Sequence, residues 1–280
     1  MVPRPMALDS HLHYGRYIFD ADLLGQIQLV LAEWAPRWCT HFRIADPPKT
    51  KVDVTIPGAL FDAVAAEMNR VSAYSIQLER LFGTRTDPVS RRVIELAGSS
   101  AGLTILIDLD SRIFFKTAGE LHWGNSVALQ VTGKRIDGVP ASTWLRTVTK
   151  ELIRRTAPWY GHVESREEFD AGNLIRDEDG VRAVGSELRY GLPGIYWLNY
   201  FGEPFVRMIG LARLETTPAF SVTRLSSGVE IVLSSDPGEW AEEDYRERRG
   251  RVVSHLGRSL FALWNEGEDA VVPEEMRAFL

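Results

Sequence analysis

Apolar residues recur at helical spacing over residues 22–34, where Leu23, Leu24, Ile27, Leu31 and Trp34 share one face. Asp20 is placed to cap this helix and Pro36 to stop it. A second helix is expected from Pro57, whose fixed φ suits a first helical position, with Leu60, Phe61, Val64 and Met68 as its buried stripe. Leu78, Leu81 and Phe82 extend that helix or begin another, and residues 93–96 also read as helical.

From Leu103 the period changes. Residues 103–109, rich in Ile and Leu, predict a buried strand, and residues 113–115 its return through a turn at Asp110, Ser111 and Arg112. Residues 126–132 alternate, with Val127, Leu129 and Val131 on one face. A helix over 141–156 follows, burying Trp144, Leu145, Val148, Leu152 and Ile153 until Pro158 ends it. Residues 220–225 and 229–234 predict a hairpin around Ser226, Ser227 and Gly228. Asp236-Pro237-Gly238-Glu239 reads as a helix start, with Asp as N-cap, Pro at N1 and Glu at N3. That helix is expected to run to about Trp264 with Val252, Val253, Leu256, Leu260 and Phe261 inward.

These elements define an α+β protein in which antiparallel sheets are covered by helices, with strands followed by a long helix occurring twice. Residues 1–100 read as a helix-rich region, either separate or integral to the same domain, and residues 101–280 as an α+β domain. No sequence-level repeat accompanies the repeated order of elements.

Composition narrows the function classes. The chain has 280 residues, 45% hydrophobic and 25% charged, which is ordinary for a globular protein with a sizeable core. A formal charge of −6 argues against a general nucleic-acid binder, which carries a basic face. Cys39, the single cysteine, removes intramolecular disulfides and Cys-rich zinc sites and reads as a small core residue. Neither a signal-peptide pattern nor a run of roughly 20 apolar residues is present, so a cytoplasmic location without membrane contact is expected.

Four segments carry candidate chemistry. Asp9-Ser10-His11-Leu12-His13 matches the Asp-x-His-x-His opening of metal-dependent hydrolases, and imidazoles at i and i+2 of a strand point to one side. Pro3, Arg4 and Pro5 precede it, however, and His41, His122, His162 and His255 stand alone in the sequence. Gly98-Ser99-Ser100-Ala101-Gly102 fits the Gly-x-Ser-x-Gly elbow of serine hydrolases, but that turn must join a strand to a helix and a strand follows here. A connector is the better account. Asp108 and Asp110 flank a turn. The acidic stretch of Glu164, Glu167, Glu168, Asp170, Asp177, Glu178 and Asp179, with Arg166 and Arg176 between, reads as a charged loop suited to recognising a basic protein. Carboxylates at that density without a local nucleophile favour binding over catalysis.

Residues 194–204 read Gly-Ile-Tyr-Trp-Leu-Asn-Tyr-Phe-Gly-Glu-Pro, an aromatic block around Asn199. With Phe205, Val206, Ile209 and Gly210, it resembles the family of bacterial immunity proteins associated with type VI secretion effectors. In that family such a block follows a helix, here 144–153, and a Gly-His turn, here Gly161-His162. The likeness covers about residues 103–261. It implies a non-enzymatic inhibitor of a cognate protein toxin, basic if the acidic stretch meets it, with no catalytic residues, metal or cofactor. Tyr196, Trp197, Tyr200 and Phe201 are then expected in the core, with Trp197 and Phe201 burying together if the block turns helical. A metal-dependent hydrolase using Asp9, His11 and His13 is the alternative.

Overall fold

The computed structural model describes residues 7–14, 21–34, 42–46, 50–54, 92–100, 103–111, 125–177, 180–183 and 191–261. Ten strands form one sheet: β1 (Ala7–Tyr14), β2 (Phe42–Asp46), β3 (Thr50–Val54), β4 (Arg92–Ser100), β5 (Leu103–Ser111), β6 (Asn125–Thr132), β9 (Tyr160–Ser165), β12 (Leu198–Gly202), β13 (Ser221–Leu225) and β14 (Gly228–Val232). Their spatial order is β13-β14-β12-β9-β1-β6-β5-β4-β2-β3. Every pairing is antiparallel. Two-stranded pairs β7 (Arg135–Ile136) with β8 (Val139–Pro140), and β10 (Leu174–Asp177) with β11 (Gly180–Ala183), lie outside it. The α+β class and the antiparallel arrangement are as the sequence predicts.

Alternation along the strands separates two cores. One face carries Leu8, Leu12, Val127, Leu129, Val131, Val163, Leu198 and Tyr200, and α1 (Ala21–Trp34) and α2 (Ala141–Thr156) cover it. Leu23 and Ile27 of α1 and Leu145, Val148, Leu152 and Ile153 of α2 are fully buried there. The opposite face carries Tyr160, Phe201, Val229 and Ile231 beneath α4 (Glu203–Ile209), α5 (Leu211–Glu215) and α6 (Glu243–Leu256). A short α3 (Arg166–Asn173) leaves the end of β9. Each fully buried Leu, Ile or Phe adds about 1.5–3 kcal/mol, so the two cores together dominate what holds the sheet.

Several expectations need correction. Residues 93–96 lie in β4, and among the described residues the first hundred supply four strands and one helix. Asp110 and Ser111 belong to β5, where both pair with β4 on one side and β6 on the other, so they are not in a turn. Asp236 does accept a hydrogen bond from Gly238 N (2.7 Å), but it caps a 3-10 turn over Pro237–Ala241. The long helix begins anew at Glu243 and ends before Gly257, whose φ of +109° a side chain would resist. The expected helix from Pro57, its continuation at Leu78, Leu81 and Phe82, the return strand at 113–115, and Cys39 lie outside the described residues. Among the described residues, no helix is long and apolar enough to cross a membrane.

The aromatic block is core, but as a strand. Trp197 belongs to the first core and Phe201 to the second, so they do not form a helical pair. Its polar atoms are satisfied locally. Asn199 Oδ1 accepts from Tyr196 N (3.0 Å) and its Nδ2 donates to Tyr196 O (2.8 Å), closing a tight turn before the strand. Trp197 Nε1 donates to Ser234 O at 3.0 Å, and Tyr200 Oη donates to Ser227 O at 2.7 Å. Gly202 is required here, because a Cβ would run into the carbonyl oxygens of Pro158 and Trp159.

Candidate functional site

β1 and β9 pair with Asp9 opposite Glu164, His11 opposite His162 and His13 opposite Tyr160. Residues two apart on a strand share a face, so these six side chains form two facing columns at the middle of the sheet. They stand where the second core's helical cover gives way to a more open surface: His162 and Glu164 are buried, whereas the His11 side chain is 32% exposed. Gly161, between Tyr160 and His162 along β9, faces the opposite side of the sheet, where a Cβ would meet Leu12 Cδ2 at 2.5 Å and His11 O at 3.2 Å.

Glu164 is the hub. Its Oε1 lies 3.4 Å from His11 Nε2 and its Oε2 lies 2.9 Å from His162 Nε2. Despite that proximity, Glu164 Oε2 and His162 Nδ1 have no aligned hydrogen bond among the described residues. The imidazoles stack: His11 on His162 with centroids 5.0 Å apart, His13 on His162 at 6.0 Å, and His162 on Tyr196 at 4.7 Å. Tyr196 is fixed in turn, its hydroxyl donating to Asn173 Oδ1 (2.8 Å) while Asn173 Nδ2 donates to Pro193 O (2.9 Å). Asp9 stands apart, held by Arg166 Nη2 at 2.7 Å and by Gln130 Nε2 at 2.8 Å.

Burial and charge oppose each other across the cluster. Burial works to raise the Glu164 carboxyl, but His162 and His11 overcome it and hold it at about 2. Burial pushes His162 down against the pull of Glu164, and pushes His13 well down with the neighbouring His162 and His11. At His11 the burial effect is overcome by Glu164 and Asp9, so its imidazole is raised. Asp9 is raised, chiefly by burial, with His11 and Arg166 working against it. The cluster therefore centres one ionised carboxylate among three rings that cannot all be cationic together. Such a group can hold a cation or pass a proton between imidazole and carboxylate.

The sequence motif and the assembled site overlap only in part. Asp9, His11 and His13 do line one side of β1, but the donors that converge within 4.8 Å of one another, among the described residues, are His11, His162 and Glu164. Asp9 and His13 are outside that group. The Gly-His pair expected as a turn is strand, and His162, which stands alone in the sequence, faces His11 across the ladder. Gly98, Ser99 and Ser100 end β4, with Ser100 opposite Leu103 of β5; strand leads to strand, and no elbow forms.

The acidic stretch also needs correction, because its described residues lie in strands and a helix rather than in a loop. Glu164 lies in β9 and Glu168 in α3, both only 1% exposed. Ser165-Arg166-Glu167-Glu168 has the Ser-x-x-Glu form of a helix start, and Ser165 Oγ accepts from Glu168 N at 3.0 Å. Glu168 then turns inward to accept from Tyr245 Oη at 2.6 Å. Burial raises its carboxyl to about 7, against Tyr245 and Arg249. Glu167 and Asp170 remain exposed on α3, Asp177 ends β10, and Glu178 and Asp179 lie outside the described residues.

No protein-family model matches the chain, and no curated protein matches it. Among solved structures, the fold is similar to that of a Pseudomonas aeruginosa T6SS protein (type VI secretion system), with a TM-score of 0.50 and 13% identity. The similarity covers 98% of this chain and 80% of that one. At that identity the likeness concerns the fold.

Proposed function

We propose that this chain is an immunity protein of a type VI secretion system, which binds a cognate effector toxin in the bacterial cytoplasm and neutralises it without catalysis. The observation that carries this reading is the fold likeness to a T6SS protein over 98% of the chain. The aromatic block at 194–204 supports it through its family resemblance and serves as core rather than contact surface. The recognition surface is assigned to the acids that reach solvent, beginning with Glu167 and Asp170 on α3. Charges at such positions steer encounter and set association rate more than final affinity.

The test pairs the chain with the effector encoded beside its gene. A one-to-one complex, together with rescue of growth when both are produced in one cell, is the expected result. A folded chain that neither binds nor protects against that effector overturns the proposal.

A further inference from the structure

We propose that His11, His162 and Glu164 form a site for one divalent transition-metal ion, zinc first, bound by two imidazole nitrogens and one carboxylate oxygen. The site does not depend on the immunity reading and differs from the Asp-x-His-x-His motif, since it spans two strands and leaves out Asp9 and His13.

Donor spacing is the first argument. Zinc bonds of about 2.0–2.2 Å in a tetrahedral arrangement place neighbouring donors about 3.3–3.6 Å apart. His11 Nε2 and Glu164 Oε1 already stand 3.4 Å apart, and all three donors lie within 4.8 Å of one another. Ladder register fixes this convergence, because His11 and His162 are directly opposed and Glu164 is two residues along the same face. The ligands thus sit on rigid central strands rather than on loops.

The second argument is that only ring nitrogens meet this buried carboxylate among the described residues. Glu164 is 1% exposed and neither Lys nor Arg pairs with it among the described residues; its partners are His11 and His162. Its Oε2, 2.9 Å from His162 Nε2, is buried without an aligned hydrogen bond. A dication takes the lone pairs of both Nε2 atoms and a carboxylate oxygen together, without protonating stacked rings 5.0 Å apart. His11, one-third exposed, supplies the entry path and the side on which a fourth ligand, water or a partner's side chain, completes the shell.

The donor set of two His and one carboxylate suits zinc in four-coordination, and also iron(II). Cobalt(II) is the useful probe, because tetrahedral coordination gives it intense visible absorption. Full-length protein stripped with chelator and titrated with zinc or cobalt(II) is expected to bind one equivalent, with a tetrahedral cobalt spectrum and a raised melting temperature. His11→Ala and Glu164→Gln should each weaken binding by at least about 100-fold, beyond the 10–100-fold that outer partners give. His13→Ala should bind within a few-fold of wild type. Failure of the folded wild-type protein to take up either ion overturns the site, as does wild-type affinity in His11→Ala or Glu164→Gln.

Discussion

The two faces of the sheet each bury a glutamate, Glu230 on β14 and Glu164 on β9, and they neutralise it by different means. On the face under α2, Glu230 Oε1 is held by Arg146 Nη2 at 2.8 Å and Lys150 Nζ at 3.0 Å, both from one side of that helix. On the opposite face Glu164 meets only imidazoles among the described residues. Arginine and lysine stay cationic across the physiological range, whereas histidine charge depends on pH and is readily replaced by a metal. The first arrangement is fixed ballast for helix docking. The second is adjustable, because its positive partners follow pH or give way to a bound ion. Glu168, with a tyrosine for its partner, is a third solution: burial raises its carboxyl to about 7, so it holds its proton in mildly acidic solution.

The sharpest way to break this comparison is to strip the permanent cations. Arg146→Met with Lys150→Met leaves Glu230 buried and uncompensated, an error that typically costs about 3–5 kcal/mol. Urea unfolding at pH 7 should show a loss of that size. Adding Glu230→Leu to the pair should recover most of it, because an apolar replacement of a whole buried ion cluster is often neutral or stabilising. A double variant as stable as wild type would mean that Glu230 is not confined as described.

Glu168 comes next. Its folded pKa of about 7 lies above the ordinary 4.5, so the folded state holds the proton more tightly than the unfolded chain does. The stability linked to this group is fully present below about pH 4.5 and is lost as pH rises through about 7. Glu168→Gln keeps an acceptor for Tyr245 while removing the titration. It should therefore match wild type near pH 4 and exceed it above pH 8 by a few kcal/mol, since a tenfold difference in proton affinity between folded and unfolded chain is worth about 1.4 kcal/mol. Parallel stability curves for the two proteins from pH 4 to 9 would contradict the buried acid.

Glu164→Gln tests the adjustable side. In chelator at pH 7, losing the charged contacts of Glu164 with His11 and His162 should cost about 1.5–3 kcal/mol. The loss should be less than that of the Arg146 and Lys150 double variant, since neutral imidazoles left behind tolerate an amide better than a stranded carboxylate tolerates apolar neighbours. A larger loss would make Glu164 the more structural of the two glutamates.

What the sequence makes legible follows the physics of each signal. Strong period and punctuation place α2 at residues 141–156, the inward face of β6 and the β13–β14 hairpin, because local pattern and tertiary burial agree there. The candidate site is half visible. Asp9, His11 and His13 show as an alternating run, but His162 and Glu164 sit far along the chain from it, in a stretch whose Gly161 invites a turn. Alternation of Tyr160, His162 and Glu164 against Gly161, Val163 and Ser165 is the available signal. Register across β1 and β9, which makes the pairs, is set by the whole sheet and cannot be read from either segment. The acidic stretch misleads for another reason: density of charge suggests exposure, while Ser165 capping α3 turns Glu168 under the helix and leaves only its neighbours outside.

The smallest expected effect on folding belongs to those neighbours, which is why they discriminate best between scaffold and surface. Glu167 and Asp170 are exposed, so Glu167→Lys with Asp170→Lys should change stability only slightly, each exposed site away from special features falling within about 0.5 kcal/mol. Glu167 does lie in the first turn of α3, where a negative charge is favoured by the helix dipole, so a few tenths of a kcal/mol of loss is expected there. On the proposed immunity reading, association with the effector encoded beside the gene should respond far more. Reversing both charges on one short helix should slow the on-rate and flatten or reverse its dependence on salt, with a smaller change in dissociation. Unchanged association kinetics in this folded variant would move the contact surface away from α3 while leaving the contrast between the two buried glutamates intact.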